Sequence, residues 1–300
     1  GLARYNGLRF VSEEIPGAKN PLSMIGAVLA LNKNQVWAAP ANDGIFLWNG
    51  HKWQHFRAGH EFPGFDVRRL RAFNTRKGVR VFATTNEGLV AVWDGKQWSE
   101  LALNYNLRGY EIFDVLLIEG QTEQQDAYWI ATYNSGLLRC QMSMPCSQVK
   151  VPGAERFFEI SSLRSMREAD GSTSIWAGSY GGGVARLKNS SWQRFTTDNS
   201  LINGNYVHDL AVLNPEVGES ELWAATRNGL SRFKDNQWQV YNHNQMTSSR
   251  VRGLSVSQNS QGHSHLWAAT DNGAARLHLD SAWRTVSRLS ENGNGIWSTL

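Results

Sequence analysis

The pattern of hydrophobic and polar positions is clearest in residues 222–238, which read L-W-A-A-T-R-N-G-L-S-R-F-K-D-N-Q-W. A short apolar run (222–226) meets the pair Asn228-Gly229, a strong hairpin signal because type I′ turns need positive φ. A second strand follows over 230–233, with Leu230 and Phe233 among polar neighbours. A polar turn, Lys234-Asp235-Asn236, then leads into a third strand carrying Trp238. The pattern predicts a three-stranded meander, which alone would bury too little surface to be stable.

The meander recurs. The aromatic residue that opens its first strand appears at Trp37, Phe82, Trp129, Trp176, Trp223 and Trp267, at spacings of 45, 47, 47, 47 and 44 residues. Small residues follow each one, as in Ala38-Ala39, Ala177-Gly178 and Ala224-Ala225. A turn glycine comes six or seven positions later, and a second Trp follows at Trp53, Trp98, Trp192, Trp238 and Trp283. The third unit has no second Trp and carries Cys146 instead. Ahead of each meander lies a further strand with apolar residues three apart: Ile25/Val28, Val67/Leu70, Ile112/Val115, Ile160/Leu163, Val207/Leu210 and Val251/Leu254. Four antiparallel strands (A to D) per period of this length is the signature of a propeller blade.

The predicted fold is therefore all-β, a single β-propeller domain over 1–300. Its complete blades are expected near 22–57, 65–103, 110–152, 157–197, 205–243 and 249–287. Residues 1–10 match 229–238, so strands C and D of a partial blade are expected over 1–12. Residues 295–300 match strand A, so a partial seventh blade could be assembled from both termini. The chain begins with Gly rather than Met and has no signal-peptide layout, so a fragment of a longer chain is expected.

The repeats resemble the two-component regulator propeller family, on the recurrent V-x-x-L…L-W-A-A-T-x-x-G-L-x-R-F…W pattern seen over 207–238. The likeness runs along the whole chain, which departs from it by carrying Ala where many members have Gly after the Trp. The resemblance implies the sensory part of a bacterial signalling protein, such as a hybrid histidine kinase or a diguanylate cyclase. It also implies a periplasmic or extracytoplasmic location and an output domain elsewhere in the parent. The chain itself would then be no enzyme, would need no cofactor and would reach a membrane only through a segment outside it. A homodimer is a further expected partner state.

Composition narrows these expectations slightly. Aromatic content is 11% with 13 Trp, which suits a packed core rather than disorder. No run of 18 or more apolar residues occurs. A net charge of +4, with Lys and Arg scattered, argues against nucleic acid as a partner. The two cysteines, Cys140 and Cys146, fall where the C–D turn of the third unit should be. A cross-hairpin disulfide is sterically reasonable there and would imply an oxidising compartment; the alternative is two small apolar residues with no bond.

Candidate chemistry is sparse. The Trp columns read as core, each burial being worth about 4–6 kcal/mol as an upper bound. Trp48 and Trp93 stand outside both columns and could be carbohydrate platforms. His51, His55, His60, His263 and His265 do not converge as ligands, so no metal site is expected. The run 178–183 (G-S-Y-G-G-G) fills a B–C turn slot and matches neither a phosphate loop nor a nucleophile elbow. Asp66, Asp114 and Asp209 recur near strand A, as structural positions do.

What remains is a binding surface where D–A connections and B–C turns share one face. Phe65, Arg68, Arg108, Tyr110, Tyr133, Tyr180, Tyr206, His208, Arg227, Arg250, Arg252 and Asp271 are expected there. Aromatics with Arg suit an interface, and Arg suits carboxylate or sulfate groups on a glycan. The leading expectation is a non-catalytic sensor that binds a small molecule or glycan. The alternatives are a propeller lyase or glycosidase with chemistry in its channel, and a constitutive protein-interaction scaffold.

Overall fold

A computed structural model describes residues 1–288 apart from Gly7, 20–23, Asn134, 152–158, 215–219, 242–247, Ser249, 259–263 and 278–282; over 283–288 it describes the backbone. The strand-A copy expected at 295–300 lies outside the described residues. The chain divides into two compact units, Gly1–Val149 and Lys150–Leu300. Each carries three four-stranded antiparallel blades of a β-propeller, with strands in sequential order.

In the first unit, β1 (Leu2–Tyr5) and β2 (Phe10–Glu13) form a two-stranded sheet. Blade one follows as β3 (Ile25–Asn32), β4 (Gln35–Pro40), β5 (Ile45–Trp48) and β6 (Trp53–Phe56). Blade two is β7 (Val67–Thr75), β8 (Gly78–Thr85), β9 (Val90–Trp93) and β10 (Trp98–Glu100). Blade three is β11 (Ile112–Ile118), β12 (Ala127–Thr132), β13 (Leu137–Gln141) and β14 (Met144–Val149). In the second unit, blade four is β15 (Ile160–Arg167), β16 (Thr173–Ser179), β17 (Gly183–Lys188) and β18 (Ser191–Phe195). Blade five is β19 (Val207–Leu213), β20 (Glu221–Thr226), β21 (Gly229–Lys234) and β22 (Gln237–Tyr241). Blade six is β23 (Val251–Gln258), β24 (Ser264–Thr270), β25 (Gly273–Leu277) and β26 (Trp283–Arg288).

Strand B serves two cores at once. Successive side chains on a strand point to opposite faces. In β20, Trp223 and Ala225 join the core shared with blade six, while Leu222 and Ala224 join the core shared with blade four. In β4, Trp37 and Ala39 face blade two, while Ala38 faces Leu2, Ile15 and Ala18 of the N-terminal segment. In blades one, two, four and five the large aromatic fills the forward gap. Trp37 meets Trp93 and Trp98 of blade two at 5.3 and 5.4 Å between ring centroids, and Trp176 meets Phe233 of blade five at 4.8 Å. The residues after it must be small: a Cβ on Gly178 would stand 2.7 Å from Val207 Cγ1.

Trp93 is therefore core and not a platform. It ends strand C of its blade and pairs across to Trp98, as Trp48 pairs to Trp53 and Phe233 to Trp238. Trp48 stays half-buried against Trp53, 5.8 Å away. In blade three, Cys140 of β13 and Cys146 of β14 are joined by a disulfide across the same C–D hairpin.

The arginine of the L-x-R-F pattern roofs the aromatic beside it. Arg186, Arg232 and Arg276 lie directly across the ladder from Trp176, Trp223 and Trp267, with Cζ 5.3, 5.9 and 5.4 Å from the rings. Arg186 also pairs with Glu168 and Arg232 with Glu221, at 2.5 and 2.6 Å. The cation thus meets a ring face and a carboxylate together.

Turn chemistry departs from expectation in one respect. Type I′ geometry, with two successive positive-φ residues, occurs in the C–D turns at Asn189-Ser190 and Asp235-Asn236. In the B–C turn, Gly229 has φ 134° and Asn228 is not at positive φ, so Asn228-Gly229 is not a type I′ pair. That turn is held by the Thr that ends strand B: the Thr226 hydroxyl donates to Gly229 O at 3.0 Å and accepts from Asn228 N–H at 3.1 Å. Thr85, Thr132 and Thr270 do the same work in blades two, three and six, and Ser179 does it in blade four.

Two substitutions test this turn in urea unfolding. Thr226→Val should cost about 1–2 kcal/mol by leaving buried main-chain groups unpaired, and Thr226→Ser should recover most of it. Gly183→Ala should cost more, about 3 kcal/mol or above, because Gly183 has φ 78° and its Cβ would lie 2.2 Å from Phe195 O. If Thr226→Val unfolds at the wild-type midpoint, the hydroxyl does not hold the turn.

Candidate functional site

Apolar residues three apart cannot share one face of a regular strand. In blades two, three, five and six they do share one core, and in every A strand the ladder slips by one residue just after the first of them. This β-bulge leaves one residue per blade outside the regular pairing: Gly26, Arg68, Phe113, Ser161, His208 and Arg252.

Beside each bulge the same main-chain bond recurs. The residue after strand B donates its N–H to the carbonyl of the residue before strand A. The pairs are Ala41–Met24, Asn86–Asp66, Tyr133–Glu111, Tyr180–Glu159, Arg227–Tyr206 and Asp271–Arg250, at 2.9–3.4 Å. Three positions per blade are thus fixed by backbone while their side chains differ from blade to blade. Nine of the twelve residues expected on this face occupy them: Arg68, Tyr133, Tyr180, Tyr206, His208, Arg227, Arg250, Arg252 and Asp271. Phe65, Arg108 and Tyr110 lie in the connections that lead into strand A.

The second unit gathers the densest set. Tyr180 and Tyr206 form an antiparallel bridge, and the Tyr180 ring lies 5.5 Å from the His208 ring. Arg227 Cζ is 5.9 Å from the Tyr206 ring, whose residue is 50% exposed. Arg252 Nε donates to Asp271 Oδ1 at 2.7 Å, with Arg250 Nη1 3.7 Å from Oδ2. The connection that presents Tyr206 is anchored on both sides. Asn205 O accepts from Gly181 and Gly183 N–H, and Asn203 Nδ2 donates to Asn228 O at 2.6 Å.

Two arginines here, Arg250 and Arg252, meet one carboxylate, Asp271, and a third, Arg227, lies over the Tyr206 ring. His208 sits among them, its Nε2 buried without a hydrogen-bond partner. Burial chiefly, and then the charges of Arg252, Arg250 and Arg227 against the opposing Asp271, push its pKa down to about 4. At neutral pH it is therefore an uncharged imidazole. Such a set can hold an anion by charge and direct hydrogen bonds, and can stack a ring against tyrosine.

The first unit arranges its share differently. Arg68 lies over the Phe113 ring at 4.1 Å, and Phe113 meets Tyr133 at 5.6 Å. Phe65 is 54% exposed while its N–H donates to Glu87 Oε1 at 2.6 Å. Arg108 pairs with Glu100, and Tyr110 shares its hydroxyl with Tyr105 while packing against the core of blades two and three. Glu87 and Phe113 were not anticipated from sequence.

The recurring aspartates are structural. Asp114 is buried and held by Arg71 at 2.8 and 2.7 Å. Asp209 accepts from Ser162 Oγ, Leu210 N–H and Leu254 N–H, tying three neighbouring A strands together. Asp66 instead accepts from Asn86 Nδ2 at 2.6 Å, beside the main-chain bond of blade two. The His55 ring stacks on Phe46 at 3.9 Å, with Nε2 2.6 Å from Asp43 O, while His51 and His60 are exposed. His263 lies outside the described residues. Among the described residues no group of His, Cys, Asp or Glu is placed to hold a metal ion, and no helix is long and apolar enough to cross a membrane.

The lowered His208 pKa sets a pH window. The unfolded chain takes up this proton near 6.5 and the folded chain only near 4, so the unfolded state binds more protons between the two. The stability that His208 contributes is complete above about pH 6.5 and is lost as pH falls towards 4, up to roughly 3 kcal/mol. His208→Gln should flatten unfolding free energy over this range. An unchanged slope in the variant would show that His208 is not the titrating group.

No family model matches the chain, and no curated protein matches it in sequence. Solved structures do match. One is described as the extracellular domain of a hybrid two-component system of B. thetaiotaomicron, with TM-score 0.63 and 16% identity over 90% of this chain. The chain spans 37% of the length of that structure. Virginiamycin B lyase of Staphylococcus aureus matches with TM-score 0.60 and 13% identity, over 89% of this chain and 85% of the lyase. The computationally designed protein Ika8 matches with TM-score 0.57 and 14% identity, over 94% of this chain and 77% of its own. At these identities the likeness is one of fold: this chain is built as a β-propeller is built.

Proposed function

We propose that this chain is a non-catalytic sensory β-propeller, the ligand-reading part of a bacterial signal-transduction protein. The observation that carries the proposal is the backbone frame repeated in all six blades with different side chains in each. A scaffold that holds its main chain constant while varying three positions per blade, all but Phe113 and Ser161 at least partly exposed, is suited to reading a ligand by a particular set of groups. The set in blades four to six (Tyr180, Tyr206, His208, Arg227, Arg250 and Arg252) suits a ring-bearing anion, such as a glycan with carboxylate or sulfate groups.

The disulfide Cys140–Cys146 supports a place outside the cytoplasm. The repeat pattern, with the fold shared with a two-component extracellular domain, supports an output domain elsewhere in a longer chain. A histidine kinase or diguanylate cyclase fits that role. Ligand would act by favouring one packing or dimer state over another, which needs different affinity for the two. A second reading, a propeller lyase, draws on the neutral His208 beside Tyr180 as a proton acceptor and on the fold shared with virginiamycin B lyase.

Thermal melting separates these readings. Uronate-bearing or sulfated oligosaccharides should raise the melting temperature, their neutral counterparts should not, and Tyr206→Ala or Arg227→Ala should abolish the shift. Cleavage of the oligosaccharide, lost in His208→Gln, would favour the lyase. No shift with any member would remove the sensor reading and leave a protein-interaction scaffold.

A further inference from the structure

A concavity lies in the first unit, between blades two and three. It is formed where the A–B turn of blade two, the end of β10 and the A–B loop of blade three come together. The two A–B connections leave the opposite strand ends from those that carry Arg68, Phe113 and Tyr133. Its volume is about 190 Å³, enough for one ring with a substituent. Phe82, Val92, Leu101, Leu117 and Tyr128 supply an apolar and aromatic wall, and all five are buried.

The charged groups at its mouth other than Arg80 share partners among themselves, Arg76 serving two carboxylates. Arg76 holds Asp126 with both ends of its guanidinium at 2.5–3.0 Å and lies 3.6 Å from Glu119. Lys77 pairs with Glu123, and Glu100 pairs with Arg108. Arg80 is left over. It stands two residues before Phe82 on β8, so both side chains face blade three. Its charge is felt by Asp94, Glu123 and Tyr128, yet among the described residues none makes an ion pair or hydrogen bond with it. Its Nε is buried and has no partner. An inward guanidinium N–H without an acceptor is costly, and a ligand oxygen would relieve it.

We propose that this cleft binds a small organic carboxylate with an apolar body, its carboxylate on Arg80 and its body against Phe82, Leu101 and Tyr128. The unpartnered Nε of Arg80 and the apolar wall beside it agree on this class. A free phosphate would leave the apolar wall uncovered, and a hydrocarbon would leave Arg80 unmet. A planar carboxylate matches the fork of a guanidinium in two parallel bonds. The site is independent of the glycan-reading face and stands whether or not that reading holds.

Benzoate, with benzamide as its uncharged isostere, is the probe. Titration of the chain by isothermal calorimetry or protein-observed NMR should give saturable benzoate binding, with benzamide at least about tenfold weaker. Arg80→Gln should lose benzoate binding by at least the same factor, and Arg80→Lys should keep part of it. Ala102 is exposed at the mouth of the cleft, so Ala102→Trp should block binding while leaving Arg80 and the core in place. That variant decides the matter should Arg80→Gln not fold. Equal binding of benzoate and benzamide, no benzoate binding, or binding that survives Ala102→Trp would each overturn the proposal.

Discussion

A four-stranded meander has two faces to bury and no partner within itself. Every other feature of this protein follows from how strand B meets that demand. One residue in two points forward, and the forward residue is a large aromatic followed by Ala or Gly. The aromatic fills the gap where adjacent sheets diverge, and the small residues let them close where they converge. A methyl group at Gly178 would already press on Val207 of the next blade. The arginine on the neighbouring strand then covers the outer edge of the ring. One alternation thus supplies the core, sets the distance between sheets and gives a charged residue a reason to lie against a buried indole.

Polar interactions follow the same division into neighbours. Asp209 is shared by three successive A strands, and Asp114 is clamped by an arginine from the blade before it. Such buried carboxylates are costly without partners, so they enforce register between blades as well as binding them. Their repetition at equivalent positions reflects this duty. Repetition within a chain marks framework, whereas difference among equivalent positions marks the places where each blade does something of its own.

Much of this was legible before any coordinates, because strand periodicity and turn glycines are local signals. The four-stranded period, the burial of Trp37, Trp98, Trp129, Trp176, Trp223 and Trp238, and the short reach between Cys140 and Cys146 all follow from spacing, whereas Trp53, Trp192 and Trp267 of the same columns are only half-buried. Other features were carried by long-range geometry. Trp93 looked like an outlier because its column holds Leu187 and Phe233 elsewhere, and only cross-strand register reveals the shared position. Asn228-Gly229 signalled a type I′ turn, but the Thr226 hydroxyl stabilises another geometry. Arg68, His208 and Arg252 were identified as displayed residues, whereas Phe113 and Ser161 were missed at the same bulge because neither residue type suggests chemistry. Arg80 was invisible in sequence, since nothing local distinguishes a paired arginine from one that is not.

The bond between the residue after strand B and the residue before strand A involves no side chain. Its consequence is evolutionary. Replacing Tyr206, Arg227 or Arg250 alters what the face presents without removing a hydrogen bond that holds the blade. Recognition can therefore be rewritten one position at a time while the melting point stays nearly fixed. The fold thereby escapes the usual conflict in which each gain in a new specificity is taken from stability.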